Sequence, residues 1–296
     1  MLDDIRKALE RNLRSLFWCT DMAVRRMASS LTRPGELRLI RGNKKYKNIH
    51  KGQRCFIIGN GPSLKGVDLA KLKDEITFTV NQIPRMKDFP KIHTNYHIWT
   101  DENFYFQDFS TPEGKELMDV MKAVNTEDNR PTVFYKTIAR PMIKENHLDE
   151  ILNIDYIMEG YRFRDPHLDL PMDRVICRFN TCVQYFILMA VYMGFSEIYL
   201  LGCDCTTILT TIRSRMDTAE KMEYAYDCTP LELKRLKKQQ TSPLEMELKL
   251  YLELFQDYIK LNAYCENHGV KLYNATKGSI LEGIKKVRIE DVLAGN

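Results

Sequence analysis

The chain has 296 residues, of which 44% are hydrophobic and 28% charged, the balance of an ordinary globular domain. No uncharged apolar run reaches the roughly 18 residues that a membrane-spanning helix needs, so we expect no spanning segment. The N-terminus carries Asp3 and Asp4 and lacks the apolar core of a secretory signal, which predicts a cytoplasmic chain. The eight cysteines include no Cys-x-x-Cys pair, and we expect reduced thiols.

The first fifty residues differ in charge from the rest. They hold twelve Lys and Arg against five Asp and Glu, whereas the whole chain has a net charge of +4. Apolar side chains recur there at helical spacing, at Ile5, Leu9, Leu13, Leu16 and Phe17. This amphipathic helix suits an anionic membrane surface at the inner face, another copy of the chain in a homo-oligomer, or its own domain. Nucleic acid is not an expected partner, because no recognised binding motif accompanies the charge.

The remaining elements alternate along the chain. Arg33-Pro34-Gly35 ends the first helix, and a polar linker leads into the first strand. Strands are predicted at 55–58, 77–80, 97–100, 132–135, 197–201 and 270–273. Helices are predicted at 67–72, 112–124, 181–193 and 243–267, with loops and short elements over 140–176. Alternating strands and helices predict a Rossmann-like α/β fold with a doubly wound, mostly parallel sheet.

Two divisions follow from this pattern. Residues 1–50 form a basic helical extension with a linker, and residues 51–296 form one nucleotide-sugar-binding domain. Within that domain, the segment 206–240 is polar and charged and follows a buried strand, so it is a candidate lid.

The most informative segment is the glycine-rich turn that follows the first strand. An apolar run ends at Gly59-Asn60-Gly61-Pro62-Ser63, and a helical pattern comes next. Glycines let a backbone approach a ligand closely, and a helix N-terminus offers N–H groups to a phosphate. The turn matches neither the dinucleotide fingerprint nor the P-loop. An ordinary strand–helix turn explains it equally well, so the motif alone leaves both interpretations open.

Other strand and helix ends carry amides, hydroxyls and carboxylates. In a doubly wound sheet, ligands bind beyond the C-terminal ends of the strands. The residues expected there are Asn81, Gln82, Thr100, Asp101, Asn180, Thr181, Asp204, Asn274 and Thr276. Amides and hydroxyls suit a ribose, a base edge or a sugar, although a single Asn at a strand end is more often a turn former. No metal site is expected, because Cys203 and Asp204 would point to opposite faces of a strand.

Several of these motifs together resemble a known group of proteins. They are Ile-Ile-Gly-Asn-Gly-Pro-Ser-Leu-Lys (57–65), Val-Asn-Gln (80–82), Met-Gly-Phe-Ser-Glu-Ile-Tyr-Leu-Leu-Gly-Cys-Asp (193–204), Tyr-Ala-Tyr-Asp (224–227) and Lys-Leu-Tyr-Asn-Ala-Thr (271–276). Over residues 52–285 the chain resembles the bacterial CMP-sialic-acid-dependent sialyltransferases of lipooligosaccharide synthesis. It is equally similar to the wider group with flagellin-glycosylation accessory proteins and archaeal 6-hydroxymethylpterin pyrophosphokinases.

The resemblance implies a GT-A-like sialyltransferase fold and transfer from a CMP-activated sugar acid without a metal cofactor. By position, Asn60 and Asn81 would contact the nucleotide and donor sugar, and Asn180 to Cys182 would hold the carboxylate and phosphate. Tyr224 would donate to the leaving phosphate. The chain departs from the family at Thr206, where a tyrosine is expected, and residues 205–267 contain no histidine to act as base.

The absent histidine leaves three functions open. The first is a glycosyltransferase acting on a cell-envelope glycan or lipid-linked acceptor, with Asp101, Asp204 or Asp227 as the base. The second is a pterin-type pyrophosphokinase, which would need Mg²⁺ held by carboxylates such as Asp101 and Asp204. The third is a nucleotide-binding partner protein without catalytic function.

Overall fold

The computed structural model describes residues 2–215, 224–239 and 242–294. Its strands are β1 Arg54–Ile58, β2 Ile76–Val80, β3 Tyr96–Trp99, β4 Thr132–Lys136, β5 Asn153–Ile157, β6 Glu159–Arg162, β7 Ile176–Arg178, β8 Glu197–Leu201, β9 Lys271–Asn274 and β10 Lys285–Lys286. Its helices are α1 Leu2–Thr32, α2 Pro34–Arg41, α3 Pro112–Lys122, α4 Arg140–Glu145, α5 Leu148–Ile151, α6 Cys182–Met193, α7 Thr207–Ser214, α8 Pro230–Gln239, α9 Leu244–Asn267 and α10 Ile289–Leu293.

The main sheet is parallel and doubly wound, as predicted. Among the described residues it has eight strands in the order β10-β9-β8-β1-β2-β3-β4-β5, and every recorded pair is parallel. The chain runs outward from β1 to β5 on one side and returns through β8 to β10 on the other. The order reverses between β1 and β8, where Ile58 pairs with Leu201. In such sheets the crevice for a ligand opens at this switch point.

Both faces of the sheet are buried, which explains why its strands are continuous apolar runs in the sequence. Because side chains alternate along a strand, Cys55 and Ile57 of β1 face one core while Phe56 and Ile58 face another. The first core lies under α6 and α9. On the opposite face, Trp99 belongs to a core that also includes residues of α3, α4 and α5.

The N-terminal extension is helical, and its break at Pro34 is as predicted. Trp18 and Met22 of α1 pack against the main core, and the Arg26 guanidinium donates to the Tyr161 hydroxyl at 3.2 Å and the Val175 carbonyl at 3.3 Å. The opposite side of α1 exposes large apolar side chains to solvent, at Leu9, Leu13, Leu16, Phe17, Val24, Met27 and Leu31. We call these seven residues the apolar stripe. Within the described ranges, no helix combines the length and the hydrophobicity that crossing a membrane requires.

One sequence-based expectation was wrong in its local structure, and another was less detailed than the structure. The glycine turn leads into a 3-10 helix, Pro62–Gly66, and not into an α-helix, so it provides no long helix dipole. The segment 140–176 consists of loops and short elements, as expected, and these include the sheet-edge strand β5 and the start of the small sheet β6–β7. An edge strand is exposed on one side, and the polar composition of Asn153–Ile157 concealed it.

The predicted lid contains two helices, α7 and α8, while its residues 216–223 and 240 lie outside the described part of the chain. Thr229 caps α8 by accepting from the Glu232 backbone N–H at 3.1 Å. Glu232 is buried and ion-paired to Arg235 at 2.7 Å, and it accepts from the Gln82 amide at 2.6 Å. Arg85 joins the same cluster through Glu232 at 3.5 Å. A buried ionic cluster therefore ties α8 to the segment that follows β2.

Candidate active site

A cleft of 1310 Å³ opens at the C-terminal ends of β1, β2, β3 and β8, beside the start of α6. It includes the switch point of the sheet. Twelve predicted site residues line it: Gly59, Asn60, Gly61, Asn81, Thr100, Asp101, Asn180, Thr181, Cys182, Asp204, Thr206 and Tyr224. Residues that were predicted from strand and helix ends, although distant in the sequence, thus lie together around one cleft.

The floor of the cleft is formed by two turns in close backbone contact. The Gly59 N–H donates to the Leu201 carbonyl at 2.8 Å, and the Gly61 N–H donates to the Gly202 carbonyl at 2.8 Å. A Cβ atom on Gly61 would lie 1.7 Å from Oδ2 of Asp204. Gly202 has a φ of +60°, a conformation that side chains disfavour. Glycine is therefore required at positions 61 and 202 for the contact between the two turns. The absence of side chains also lets a ligand approach the backbone closely.

Asp204 is a buried carboxylate that holds the glycine turn. Its Oδ1 accepts from the Ser63 backbone N–H at 3.1 Å, and its Oδ2 accepts from the Ser63 hydroxyl at 2.8 Å. Burial raises the pKa of the Asp204 carboxyl above its ordinary value, although both hydrogen bonds from Ser63 oppose that rise. Ser63 does not line the cleft and acts through Asp204. Because both carboxylate oxygens are engaged by Ser63, Asp204 is better suited to positioning the glycine turn than to acting as a base.

Three ends of secondary structure meet at the thiol of Cys182. The Thr100 hydroxyl lies 2.7 Å from this sulfur, and the thiol lies 3.0 Å from Oδ1 of Asn81. Burial raises the pKa of the Cys182 thiol to about 11, so it is a neutral hydrogen-bonding group at physiological pH. Asn81 has a φ of +45°, which Asn tolerates better than most residues. This network fixes Oδ1 of Asn81 and orients its amide in the cleft.

Asn60 has an amide oxygen that is buried and accepts no hydrogen bond from any described residue. Its backbone carbonyl accepts from the Ala225 N–H at 2.9 Å, which ties the middle of the predicted lid to the glycine turn. A buried acceptor without a donor is costly, so it is commonly satisfied by water or by a ligand. Oδ1 of Asn60 is therefore positioned to receive a hydroxyl or amino group bound in the cleft.

The N-terminus of α6 provides donors beside these amides. Thr181 precedes the helix with an extended backbone and makes no side-chain capping bond, and the Asn180 N–H donates to Oε1 of Gln184 at 3.2 Å. The first N–H groups of a twelve-residue helix lack partners within the helix, and its dipole favours an anion at this end. An anionic group of a ligand would be stabilised here.

Tyr224 and Asp101 are two groups of the cleft lining whose chemistry suits proton transfer. Burial raises the pKa of the Tyr224 hydroxyl well above its usual value, so it stays protonated and can donate a hydrogen bond. Its ring stacks on Tyr226 with centroids 5.2 Å apart. Asp101 lines the cleft, and its carboxylate accepts from the Asn103 N–H at 2.9 Å. One acid and one carboxylate thus face the same space.

Besides Ser63, four predicted site residues lie outside the cleft. The Gln82 side chain is held in the buried cluster with Glu232, and Asp227 is fully exposed, 3.4 Å from Nζ of Lys65. Asn274 and Thr276 are buried and hold the turn after β8, where the Thr276 hydroxyl accepts from the Cys203 N–H at 3.0 Å. The direct binding role predicted for Gln82, Asn274 and Thr276 does not fit their positions, because their polar groups already have partners. The role of base predicted for Asp227 does not fit its position outside the cleft lining.

The sequence-based prediction missed several residues that line the cleft. Lys136 ends β4, is buried, and pairs with Glu102 at 3.2 Å and Glu159 at 3.1 Å. Arg178 ends β7, and Tyr251 and Tyr258 come from α9. Lys136 follows an apolar run in the same way as Asn81 does, so the strand-end rule could have found it. The tyrosines of a long amphipathic helix carry no such signal.

Mg²⁺ would require carboxylates that converge, as the pyrophosphokinase alternative assumes for Asp101 and Asp204. Across the described ranges, no group of three or more His, Cys, Asp or Glu residues is arranged to hold a metal ion. The carboxylate of Asp204 is engaged by Ser63 and that of Asp101 by Asn103. The donor set therefore gives no support to a metal bound by protein ligands alone.

No protein-family model and no curated protein matches this chain. Among solved structures, it is similar to the sialyltransferase CstII from Campylobacter jejuni, described in complex with a substrate analogue, cytidine-5'-monophosphate. The superposition has a TM-score of 0.42 at 16% sequence identity, and it covers 80% of this chain and 85% of that chain. At this distance the residues of the cleft, and not the likeness, must carry any conclusion about function.

Proposed function

We propose that the chain is a glycosyltransferase that moves a sugar, a CMP-activated nonulosonic or related keto-acid sugar, to a cell-envelope glycan acceptor. The observation that carries the proposal is the buried, unpartnered Oδ1 of Asn60 in the cleft that also contains the N-terminus of α6. A nucleoside monophosphate offers both complements, since its ribose or base supplies donors and its phosphate supplies the anion. The motifs that resemble the sialyltransferases supply several residues of this cleft.

In this proposal the protein mainly positions reactants and stabilises the leaving group. The phosphate of the departing CMP lies at the start of α6, where N–H donors oriented by the helix balance its charge. The protonated Tyr224 hydroxyl donates to that phosphate as the bond to the sugar breaks. Asp101 takes the proton from the acceptor hydroxyl, in place of the histidine that this chain lacks. Asp204 holds the glycine turn.

Nucleotide binding is the first test. Thermal unfolding is followed with CMP, UMP, GMP and, separately, ATP with Mg²⁺, and we expect stabilisation by CMP without a metal. Stabilisation by ATP with Mg²⁺ alone would favour the pyrophosphokinase. Binding of CMP without hydrolysis or transfer from any CMP-activated sugar would favour the non-catalytic partner protein. Absence of stabilisation by any cytidine nucleotide would contradict the proposal.

A further inference from the structure

A second cavity, of 370 Å³, lies between α1 and the small sheet β6–β7. We call it the arginine pocket. The guanidinium-bearing residues that line it are Arg25, Arg162, Arg164 and Arg178, and they come from three separate parts of the sequence. The walls also include Trp18 and two acidic residues, Asp21 and Glu159. Because like charges repel one another, four arginines that face only two carboxylates around a small concave volume favour the binding of an anion.

The pocket retains hydrogen-bond donors that its own residues do not use. Arg164 is exposed and forms no ion pair with any described residue, and its guanidinium lies 5.6 Å from the centre of the Trp18 ring. Arg25 contacts Asp21 through Nε alone, at 3.0 and 2.8 Å, so its two terminal nitrogens bond to no described residue. A guanidinium has five N–H donors in a fork that matches phosphate and carboxylate oxygens.

The acidic groups near the pocket do not neutralise it. Glu159 is shared among Lys136 at 3.1 Å, Arg178 at 3.9 Å and the Tyr185 hydroxyl. Arg162 pairs with Glu253, which lies outside the pocket lining. The lining therefore holds four arginines against two carboxylates, Asp21 and Glu159, and Lys136 also pairs with Glu159, so the lining keeps an excess of positive charge.

The arginine pocket adjoins the cleft, and at Trp18 it reaches the edge of the apolar stripe, most of which lies on the opposite side of α1. Arg178 lines the pocket and the cleft, and Arg162 donates to the side chain of Asn180, a cleft residue, at 3.4 Å. On the other side, the Trp18 ring packs against Phe17 of the apolar stripe with centroids 4.8 Å apart. A molecule with an anionic head group in the pocket could thus lay an apolar chain along α1 and direct its polar end toward the cleft.

We propose that the arginine pocket binds the phosphate or diphosphate group of an amphiphilic acceptor. The acceptor role rests on the transferase proposed above, whereas the binding of a phosphate does not. Two sources share this chemistry, a soluble phosphorylated glycan and a head group in a membrane. The adjoining apolar stripe favours the membrane source.

Titration calorimetry with inorganic pyrophosphate on the full chain tests the pocket, with and without saturating CMP. We expect binding that CMP does not abolish, and at least about tenfold weaker binding in Arg164→Gln and in Arg25→Gln, because each loses charge-assisted hydrogen bonds. Arg288→Gln is the matched control, since Arg288 is also an exposed arginine with one carboxylate partner, Glu290 at 3.6 Å. Equal affinity in all variants, or no pyrophosphate binding, would overturn the pocket.

Co-sedimentation with vesicles distinguishes the two sources. Phosphatidylcholine vesicles containing phosphatidic acid present a phosphate head group, and phosphatidylcholine alone is the reference. We expect the chain to bind the vesicles that contain phosphatidic acid. Arg164→Gln should weaken this binding, and pyrophosphate should compete with it. Pyrophosphate binding without vesicle binding would contradict an amphiphilic ligand but would still support a phosphate site. A chain that binds pyrophosphate through Arg164 but binds no CMP would instead contradict the transferase alone.

Discussion

Asp204 accepts two hydrogen bonds from Ser63 across 141 positions of sequence, one from the backbone N–H at 3.1 Å and one from the hydroxyl at 2.8 Å. This pair connects the turn after β8 to the turn after β1 on the floor of the cleft. A disturbance at either turn should therefore change the shape of the cleft.

Gly61→Ala should disturb this contact directly. The added Cβ would lie 1.7 Å from Oδ2 of Asp204, so the two turns must separate. We expect a loss of about 1–3 kcal/mol in the free energy of unfolding, as for other overpacked sites, together with weaker CMP binding. Gly66→Ala is the control, because a Cβ there meets no atom within 4 Å. Equal denaturant midpoints for the two variants would contradict the role of Gly61.

Asn60→Ala and Asn81→Asp should each weaken CMP binding while leaving the fold intact. Loss of one hydrogen bond costs about 0.5–1.5 kcal/mol, and more if the partner is left buried. Asp is preferred to Ala at position 81 because it tolerates the positive φ of Asn81. Titration calorimetry measures the affinities, with Asn146→Ala, a substitution distant from the cleft lining, as the control. Unchanged affinity for CMP in both cleft variants would contradict the proposed nucleotide site.

His97 should make the stability depend on pH. Burial lowers the pKa of His97 from 6.5 to about 3, and Nδ1 lies 2.8 Å from the Thr79 hydroxyl. The unfolded state binds the proton more tightly, so this stability is present above pH 6.5 and is lost as the pH falls toward 3. The loss should approach about 1.4 kcal/mol for each pH unit within that window.

Urea unfolding at about pH 7 and about pH 5 tests this dependence. His97→Gln should show a smaller difference between the two conditions than the unsubstituted chain. His167→Gln removes an exposed imidazole and retains His97, so it serves as the control. If His97→Gln keeps the full difference, another group is responsible for the acid sensitivity.

Glu232→Ala should destabilise the protein strongly. The substitution leaves Arg235 and Arg85 buried without their shared carboxylate, and breaking a buried ion pair from one side costs about 3–5 kcal/mol. Glu245→Ala, at an exposed position in the first turn of α9, is the control. Denaturant unfolding measures both. A change in Glu232→Ala as small as that of the control would mean that the cluster does not hold α8.

The apolar stripe should give salt-sensitive binding to anionic vesicles. Each basic side chain near such a surface contributes about 1 kcal/mol, and the exposed apolar side chains enter the interface. Leu13→Gln combined with Leu16→Gln should abolish sedimentation with the vesicles, whereas Ile280→Gln, an exposed apolar residue outside α1, should not. Sedimentation velocity tests the alternative, in which the apolar stripe contacts a second copy of the chain. A dimer that the double variant converts to a monomer, with no vesicle binding by the original chain, would assign the stripe to a second copy.

The core strands of the sheet could be predicted from the sequence because burial on both faces makes them continuous apolar runs. Strand β5 could not, since Asn153 and Asp155 occupy an edge where one side faces solvent. The helix α8 was assigned to a polar lid for a related reason. Glu232 and Arg235 are charged, and only their mutual pairing in three dimensions reveals that they are buried.

Within the site, the strand-end rule found Asn60, Asn81, Thr100 and Asp101 but misplaced Gln82. The left-handed conformation of Asn81 turns the chain, so the next side chain points to Glu232 and away from the cleft. Lys136 was missed because the prediction rested on strand ends with amide, hydroxyl or carboxylate side chains, and Lys136 is basic. The direction in which each strand end turns depends on backbone angles that a residue type alone does not determine.

The position of β1 at the centre of the sheet has a consequence for folding. One neighbour, β2, is the next strand along the chain, while the other, β8, is synthesised only after β3, β4 and β5. Pairing of β1 with β8 must therefore close a long loop, a slow step in parallel sheets. A nascent chain that ends before Leu201 has no partner for that edge of β1, and the turns around Gly61 and Gly202 cannot meet. The cleft is consequently complete only when the second half of the sheet has docked, so any ligand that binds there would report on completion of the whole domain.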